Sequence, residues 1–208
     1  MKVPLGGGTP TALANPGLYV AGVAVDASSV YWAAYDNSYG FLAKVPLGGG
    51  MYTALAEVDT GNCFWAIAVD ATSIYWTGYY DGTVMSVPRG GGTPNTLASG
   101  KYSAQGIAVD ATSVFWTDYT DGTVMKEPLD GGTRTTLASG QSLPTGIVVD
   151  TTSVFWTTDH AVMKVPLGGG TPTMLASAQS NPWGIALDAS SVYWTNHISG
   201  AVIRLSPK

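Results

Sequence analysis

The stretch "GIAVDATSVFWTDYTDGTVMKEPLDGGTRTTLASG" (106–140) decides the fold, because close copies of it fill the chain. Each copy is marked by an aspartate and by a tryptophan six residues later. The five pairs are Asp26 with Trp32, Asp70 with Trp76, Asp110 with Trp116, Asp150 with Trp156, and Asp188 with Trp194. Successive tryptophans lie 44, 40, 40 and 38 residues apart. A period of about 40 residues indicates a repeat architecture.

Each copy contains four strand-like pieces separated by turn residues. An apolar run (106–110) comes first, followed by the β-branched and aromatic piece "SVFW" (113–116). The third piece, "GTVMKEP" (122–128), ends at a proline, which limits ladder pairing there. The fourth is "TTLAS" (135–139), after a glycine-rich turn. Four short strands in about 40 residues are typical of one β-propeller blade.

The two ends of the chain complete this pattern. The start, "MKVPLGGGTPTALA" (1–14), enters within a third strand and supplies a fourth, whereas the end, "AVIRLSPK" (201–208), stops at a third strand. We therefore predict a single all-β domain over 1–208, a five-bladed β-propeller of about 40-residue, four-stranded blades. In it, residues 9–14 pair beside 201–205, complete the last blade and close the ring. Residues 1–5 and 203–207 duplicate one third strand, so one copy should fray.

Composition excludes several classes of protein. Only 11% of the 208 residues are charged and 45% are hydrophobic, which is the opposite of the signature of disorder. The net charge is −5 and the nine Lys and Arg residues are scattered, so we predict no nucleic-acid binding. No apolar run approaches the roughly 18 residues of a membrane span, so we predict no membrane insertion. The single cysteine, Cys63, reads as a small apolar side chain.

The second strand of each copy carries a family resemblance. Its five versions are "VYWAA" (30–34), "IYWTG" (74–78), "VFWTD" (114–118), "VFWTT" (154–158) and "VYWTN" (192–196). With "GIAVD" before and "PLDGG" after, they resemble the YWTD repeat of low-density-lipoprotein-receptor propellers, and also NHL and bacterial gluconolactonase-like propellers. The resemblance implies a propeller fold and an extracellular or periplasmic location, although "MKVPLGGGTP" is not a signal peptide. Those relatives are mostly six-bladed, and the final aspartate of the motif survives here only as Asp118.

Length varies between copies in two connections only: from the fourth strand to the next first strand, and from the second strand to the third. In an up-and-down blade both connections emerge on the same face of the disc. The opposite face carries the near-identical "DATS" and "GGGTP" turns. Repeat proteins usually bind through the varied surface of an invariant scaffold, so we predict the site on this variable-loop face.

Two tryptophans outside the repeat pattern mark the centre of that face. Trp65 and Trp183 lie five residues before the motif aspartate, at the start of the innermost strand and the mouth of the central channel. Two interpretations stay open: rings that stack on a sugar or another flat ligand, or rings that plug a narrow channel. The candidate ligand-binding residues, at the mouth and on the rim around it, are Trp65, Trp183, Gln105, Thr145, Tyr79, Tyr119, His160 and His197.

The five motif aspartates invite a carboxylate ring that binds a cation. They precede a turn, however, where an aspartate accepts hydrogen bonds from backbone N–H groups, and we predict this structural role. Gluconolactonase-like relatives are expected to hold a divalent cation at the channel mouth with carboxylates and an asparagine. Here the mouth carries no carboxylate, and the weak candidates are Glu57, Asp59 and Asn62 in one acidic loop, which suit calcium or magnesium.

These observations favour a non-catalytic ligand-binding or recognition propeller, lectin-like in character and monomeric. Its ligand would be a small molecule or a carbohydrate, and we assign no catalytic residue and no cofactor. The alternatives are a metal-dependent lactonase of the gluconolactonase-like kind, with calcium or magnesium, and a purely structural or engineered repeat scaffold.

Overall fold

The computed structural model describes residues 2, 7–15, 17–35, 40–58, 64–100 and 103–208. This part of the chain contains β-strands and turns and no helix. No membrane-spanning helix is therefore found in it. The strands form five antiparallel sheets.

We name the five sheets blades 1 to 5 in chain order. Blade 1 consists of β1 (Tyr19–Val25), β2 (Ser29–Tyr35), β3 (Gly40–Pro46) and β4 (Thr53–Val58). Blade 2 consists of β5 (Phe64–Val69), β6 (Ser73–Gly78), β7 (Val84–Pro88) and β8 (Asn95–Ala98). Blade 3 consists of β9 (Ala104–Val109), β10 (Ser113–Asp118), β11 (Thr123–Pro128) and β12 (Thr135–Ala138). Blade 4 consists of β13 (Ile147–Val149), β14 (Ser153–Thr157), β15 (Val162–Pro166) and β16 (Thr173–Ala176). Blade 5 consists of β17 (Pro182–Leu187), β18 (Val192–Asn196) and β19 (Ala201–Leu205).

Strands follow one another in sequence order across each blade, so every connection within a blade is a hairpin. The first strands pack side by side, β1 on β5, β5 on β9, β9 on β13 and β13 on β17. This arrangement confirms the predicted all-β, five-bladed propeller.

The repeated tryptophans lie between adjacent blades. Trp76 and Trp156 are fully buried, and Trp32, Trp116 and Trp194 are nearly so. Each packs against a leucine from the outermost strand of the preceding repeat, as Trp76 does with Leu55. The hydrophobic core is therefore a series of inter-blade layers.

The structure differs from the prediction at the join between the ends. In the described part of the chain, blade 5 has three strands, and residues 9–14 do not pair with β19. Instead Thr11 exchanges two backbone hydrogen bonds of 2.8 Å with Lys2, and Leu13 packs on Trp32 of blade 1. The physical reason is competition: the copy of the third strand close in sequence provides the partner of Thr11, because a short hairpin costs less chain entropy than closure over the whole chain.

The motif aspartates cap the turn that follows each first strand, which confirms their predicted structural role. In Asp188, Oδ1 accepts the N–H groups of Ser190 and Ser191, both at 2.7 Å, and Oδ2 accepts the Tyr193 hydroxyl at 2.7 Å. The Tyr193 hydroxyl and then these N–H groups lower the pKa of Asp188 to about 2. Burial opposes a low pKa at Asp150, but the Lys208 ammonium 2.9 Å away and the Thr152 N–H outweigh it and bring that pKa to about 2.

These low pKa values predict acid-sensitive stability. A folded carboxyl with a pKa near 2, against 3.8 ordinarily, stabilises the fold fully above about pH 5. That stabilisation is lost as pH falls from about 4 to 2, so the melting temperature should drop over this range. Asp188→Asn should flatten the drop, whereas Asp130→Asn, at an exposed turn outside the motif, should not. Equal curves for both variants in a scanning fluorimetry titration would contradict this assignment.

Candidate ligand-binding site at the channel mouth

Antiparallel pairing brings the start of each first strand to the end of the second strand of its blade. Pro182 pairs with Asn196, and Phe64 pairs with Gly78. The register shifts between Phe64 and Ile67, and the same irregularity follows Pro182. Such bulges change the direction of the side chains they contain. The two non-repeat tryptophans lie within these shifts, beside the loops that follow β6 and β18.

Five aromatic side chains form a continuous series, which we call the aromatic row: His197, Trp183, Trp65, Tyr79 and Tyr80. Its centre joins two blades that are not neighbours in sequence, since the ring centroids of Trp65 (blade 2) and Trp183 (blade 5) are 6.1 Å apart. Trp65 stacks on Tyr79 at 4.9 Å with an interplanar angle of 25°. The ends are His197, 5.8 Å from Trp183, and Tyr80, 5.3 Å from Tyr79.

The two central tryptophans differ in exposure from the tryptophans of the repeat. Trp65 is 36% exposed and Trp183 is 38% exposed, whereas every repeated tryptophan is buried. The two rings are inclined to each other by 41°, so together they offer solvent a shallow, angled apolar surface rather than a flat one. Such a surface can take a ligand by stacking and removal of water.

Gln105 and Thr145 occupy the repeat position of the two tryptophans but are buried. The Thr145 hydroxyl lies 2.8 Å from the Thr157 hydroxyl, so it is engaged within the protein. The side-chain carbonyl oxygens of Gln105 and Asn196 are buried, and neither has a hydrogen-bond partner among the described residues. An unpartnered buried carbonyl costs about 1–3 kcal/mol, so these two oxygens are the unusual polar groups of this region.

The remaining predicted rim residues do not all join the aromatic row. Tyr119 is half-buried, and no ring contact found among the described residues includes it or His160. His160 is exposed, with Nε2 3.5 Å from the Asp159 carboxylate. That carboxylate also accepts the Ser142 hydroxyl at 2.9 Å, so these groups form a separate surface cluster on blade 4.

The threonine that follows four of the five repeated tryptophans has a role that the repeat pattern did not predict. The Thr117 hydroxyl accepts the Gly106 N–H of its own blade at 2.9 Å and donates to the Thr145 carbonyl of the next blade at 2.6 Å. Thr77 and Thr157 donate to the Gln105 and Trp183 carbonyls in the same way. These hydrogen bonds fix the position of one first strand relative to the next at the channel mouth. The sequence feature that could have indicated this role is the threonine of the "WT" pair, which blade 1 replaces with Ala33.

The acidic loop offers little support for a metal site in the part of the chain that is described. Glu57 is an exposed residue of β4. Asp59 and Asn62 lie outside the described residues, as does Cys63. Within the described ranges, no group of three or more His, Cys, Asp and Glu side chains is placed to hold a metal ion. The calcium or magnesium hypothesis stays a prediction about that loop.

Comparison with known proteins places the fold. No family model and no curated protein matches the chain. Among solved structures, the nidogen/laminin complex matches with a TM-score of 0.79 and 22% identity, over 92% of this chain and 77% of the matched one. This chain shares the β-propeller fold, as its YWTD-like repeats predict. A virginiamycin B lyase from Staphylococcus aureus, solved with quinupristin, matches at 0.79 and 14% identity, over 98% and 72%.

A third structural neighbour is the computationally designed Ika4 protein, with a TM-score of 0.62 and 14% identity over 71% of this chain and 92% of that one. A member of a protein–protein complex, a lyase and a designed protein thus share this architecture. At these identities the likeness concerns the fold, and the function has to be argued from the side chains of the site.

Proposed function

We propose that this YWTD-type propeller is a non-catalytic recognition module that binds a carbohydrate on the aromatic row. The observation that carries the proposal is the convergence of Trp65 and Trp183 from blades 2 and 5, at 6.1 Å and with both rings partly exposed. Rings that only filled the central channel would not need to be exposed to solvent. A pyranose ring has one apolar face of C–H groups, which stacks on indole and leaves its hydroxyl groups for neighbouring polar side chains.

The charged surroundings disfavour an anionic ligand. The chain carries a net charge of −5, and Asp81 follows Tyr79 and Tyr80 at one end of the aromatic row, so an anionic ligand would be repelled. The unpartnered Gln105 carbonyl would accept a ligand hydroxyl or a bridging water after a small side-chain rotation. Sugars supply such donors in number, whereas a purely apolar ligand supplies none.

A glycan array tests the substrate class directly. We expect the intact chain to retain a small set of neutral glycans, and titration of the strongest one should quench tryptophan fluorescence. Each stacking contact contributes about 0.5–1.5 kcal/mol beyond area burial, so a site of this size predicts micromolar to millimolar affinity. An array with no retained glycan would contradict the carbohydrate assignment.

Trp183→Ala separates binding from structure. Loss of its stacking surface should weaken the retained glycan about tenfold or more, while the melting temperature changes little because the ring is 38% exposed. Met51→Ala removes an exposed side chain from a turn at the opposite end of the blade and should leave affinity unchanged. Unchanged affinity combined with a large loss of stability would show that Trp183 is a channel plug.

A further inference from the structure

Blades 5 and 1 face each other at the join between the chain ends. Their facing surfaces are exposed, whereas the corresponding surfaces between the other consecutive blades are buried. We call this region the open seam and define it by Thr195 and Val202 of blade 5 and by Val20, Val23 and Val25 of blade 1. β17 packs on β13, but no comparable packing joins β17 to β1 among the described residues. The other four inter-blade faces show what a covered face looks like.

Val202 shows the difference on blade 5. It is 75% exposed, whereas the residues at the same repeat position are completely buried by the following blade; they are Leu42, Val84, Val124 and Val162. Val23 shows it on blade 1, because it is 68% exposed, whereas its equivalents Ile67, Ile107 and Ile147 are at most 8% exposed and Ile185 is half-buried. Both faces therefore have the shape and chemistry of a blade contact without the contact.

Two polar features of blade 5 are also unused. Thr195 accepts the Gly184 N–H at 3.0 Å but donates to no carbonyl in the described part of the chain, although Thr77, Thr117 and Thr157 each donate to the next blade. Among the strands that the structure describes, β19 is the edge of its sheet, with no fourth strand beside it. An unpaired edge is a template for strand addition.

The outer half of the next blade position is already in place. Lys2 pairs with Thr11 as Lys44 pairs with Thr53. The Lys2 Nζ donates to the Leu47 carbonyl at 2.8 Å, as the Lys44 Nζ does to the Arg89 carbonyl at 2.9 Å. Lys2 and residues 7–13 thus lie against blade 1 where the third and fourth strands of a preceding blade would lie. Among the described residues, no inner pair of strands covers Val23 and Val202.

We propose that the open seam binds a strand-forming polypeptide segment of the same repeat chemistry. The segment would add a fourth strand to β19 and then two inner strands between blades 5 and 1. Residues 129–160 of this chain, which contain β12 to β14, have this composition and order. Strand addition supplies backbone hydrogen bonds, and alternate apolar side chains supply specificity by covering the two valines. A carbonyl of the segment accepts the free Thr195 hydroxyl.

The test uses the full chain and residues 129–160 fused to a soluble carrier, with a scrambled fusion for comparison. We expect saturable binding of the native-order segment in biolayer interferometry and none of the scrambled one. Val202→Asp should weaken binding at least tenfold without unfolding the free chain, since that side chain is exposed. Met174→Asp, an exposed residue of β16, is the matched control and should bind as the parent does.

Absence of binding, or binding that Val202→Asp leaves unchanged, would overturn the proposal. A cysteine pair at positions 23 and 202, in a Cys63→Ser background, tests whether the open seam is covered by its own opposite face or by a second copy of the chain. A cross-link formed within one chain would show that the two faces cover each other, and a cross-linked dimer would show that a second copy covers them. Either cross-link, formed without the segment, would also overturn the proposal.

Discussion

Replacing Trp156 with alanine should lower the free energy of unfolding by about 3–5 kcal/mol, the range observed when a buried tryptophan is truncated. Trp156 is fully buried between blades 3 and 4, against Leu137 and Ile147. Its Nε1 donates to Gln141 Oε1 at 3.2 Å, so the substitution removes a hydrogen bond as well as the packed ring. Because a domain is stable by only about 5–15 kcal/mol, much of the folded population should be lost on mild heating.

Urea denaturation monitored by circular dichroism measures this effect. Trp183→Ala is the matched control, because the same truncation at a ring of the aromatic row leaves no enclosed cavity and should cost less than about 1 kcal/mol. Trp156→Phe should fall between the two, since it keeps an aromatic ring in the layer. If Trp156→Ala and Trp183→Ala were equally stable, the repeated tryptophans would not be the inter-blade supports described above.

Gly146→Ala should lower the free energy of unfolding by about 1–3 kcal/mol. At an unstrained position the same substitution usually stabilises a protein, because alanine reduces the conformational entropy of the unfolded chain. An added Cβ at Gly146 would lie well inside van der Waals distance of the Trp183 carbonyl oxygen and 3.2 Å from the Thr157 hydroxyl. Neither atom can move freely, because the Thr157 hydroxyl donates to that carbonyl at 3.0 Å. The substitution would push the first strands of blades 4 and 5 apart.

Gly168→Ala is the control for Gly146→Ala. A Cβ at Gly168 meets nothing within 4 Å, and this glycine is not one of those with a positive φ. Its stability should change by less than about 0.5 kcal/mol, the range of ordinary surface substitutions. Gly146→Ala should in addition weaken glycan binding, because Trp183 is carried by the displaced strand. A stable Gly146→Ala variant would show that the blades tolerate separation at the channel mouth.

Some parts of the candidate site were open to prediction and others were not. Trp65 and Trp183 were identifiable because they interrupt a regular repeat, and antiparallel pairing placed them beside the loops that carry Tyr79 and His197. The burial of Thr145 was not foreseeable from its repeat position, since it depends on the hydroxyl of Thr157 reaching across the strand. The unpartnered carbonyl of Gln105 likewise exists only after the neighbouring blades have packed around it.

The amino-acid sequence by itself determined the number of blades, the order of strands and the role of the motif aspartates. These features depend on local physics: a β-branched and aromatic strand, a glycine-rich turn and an Asx turn each act within one repeat of about 40 residues. The tertiary structure alone decided the 6.1 Å approach of Trp65 and Trp183 and the exposure of Val202 and Val23. That distance and that exposure depend on how blades far apart in sequence are spaced around the axis. This spacing results from all the inter-blade contacts together, so no single repeat determines it.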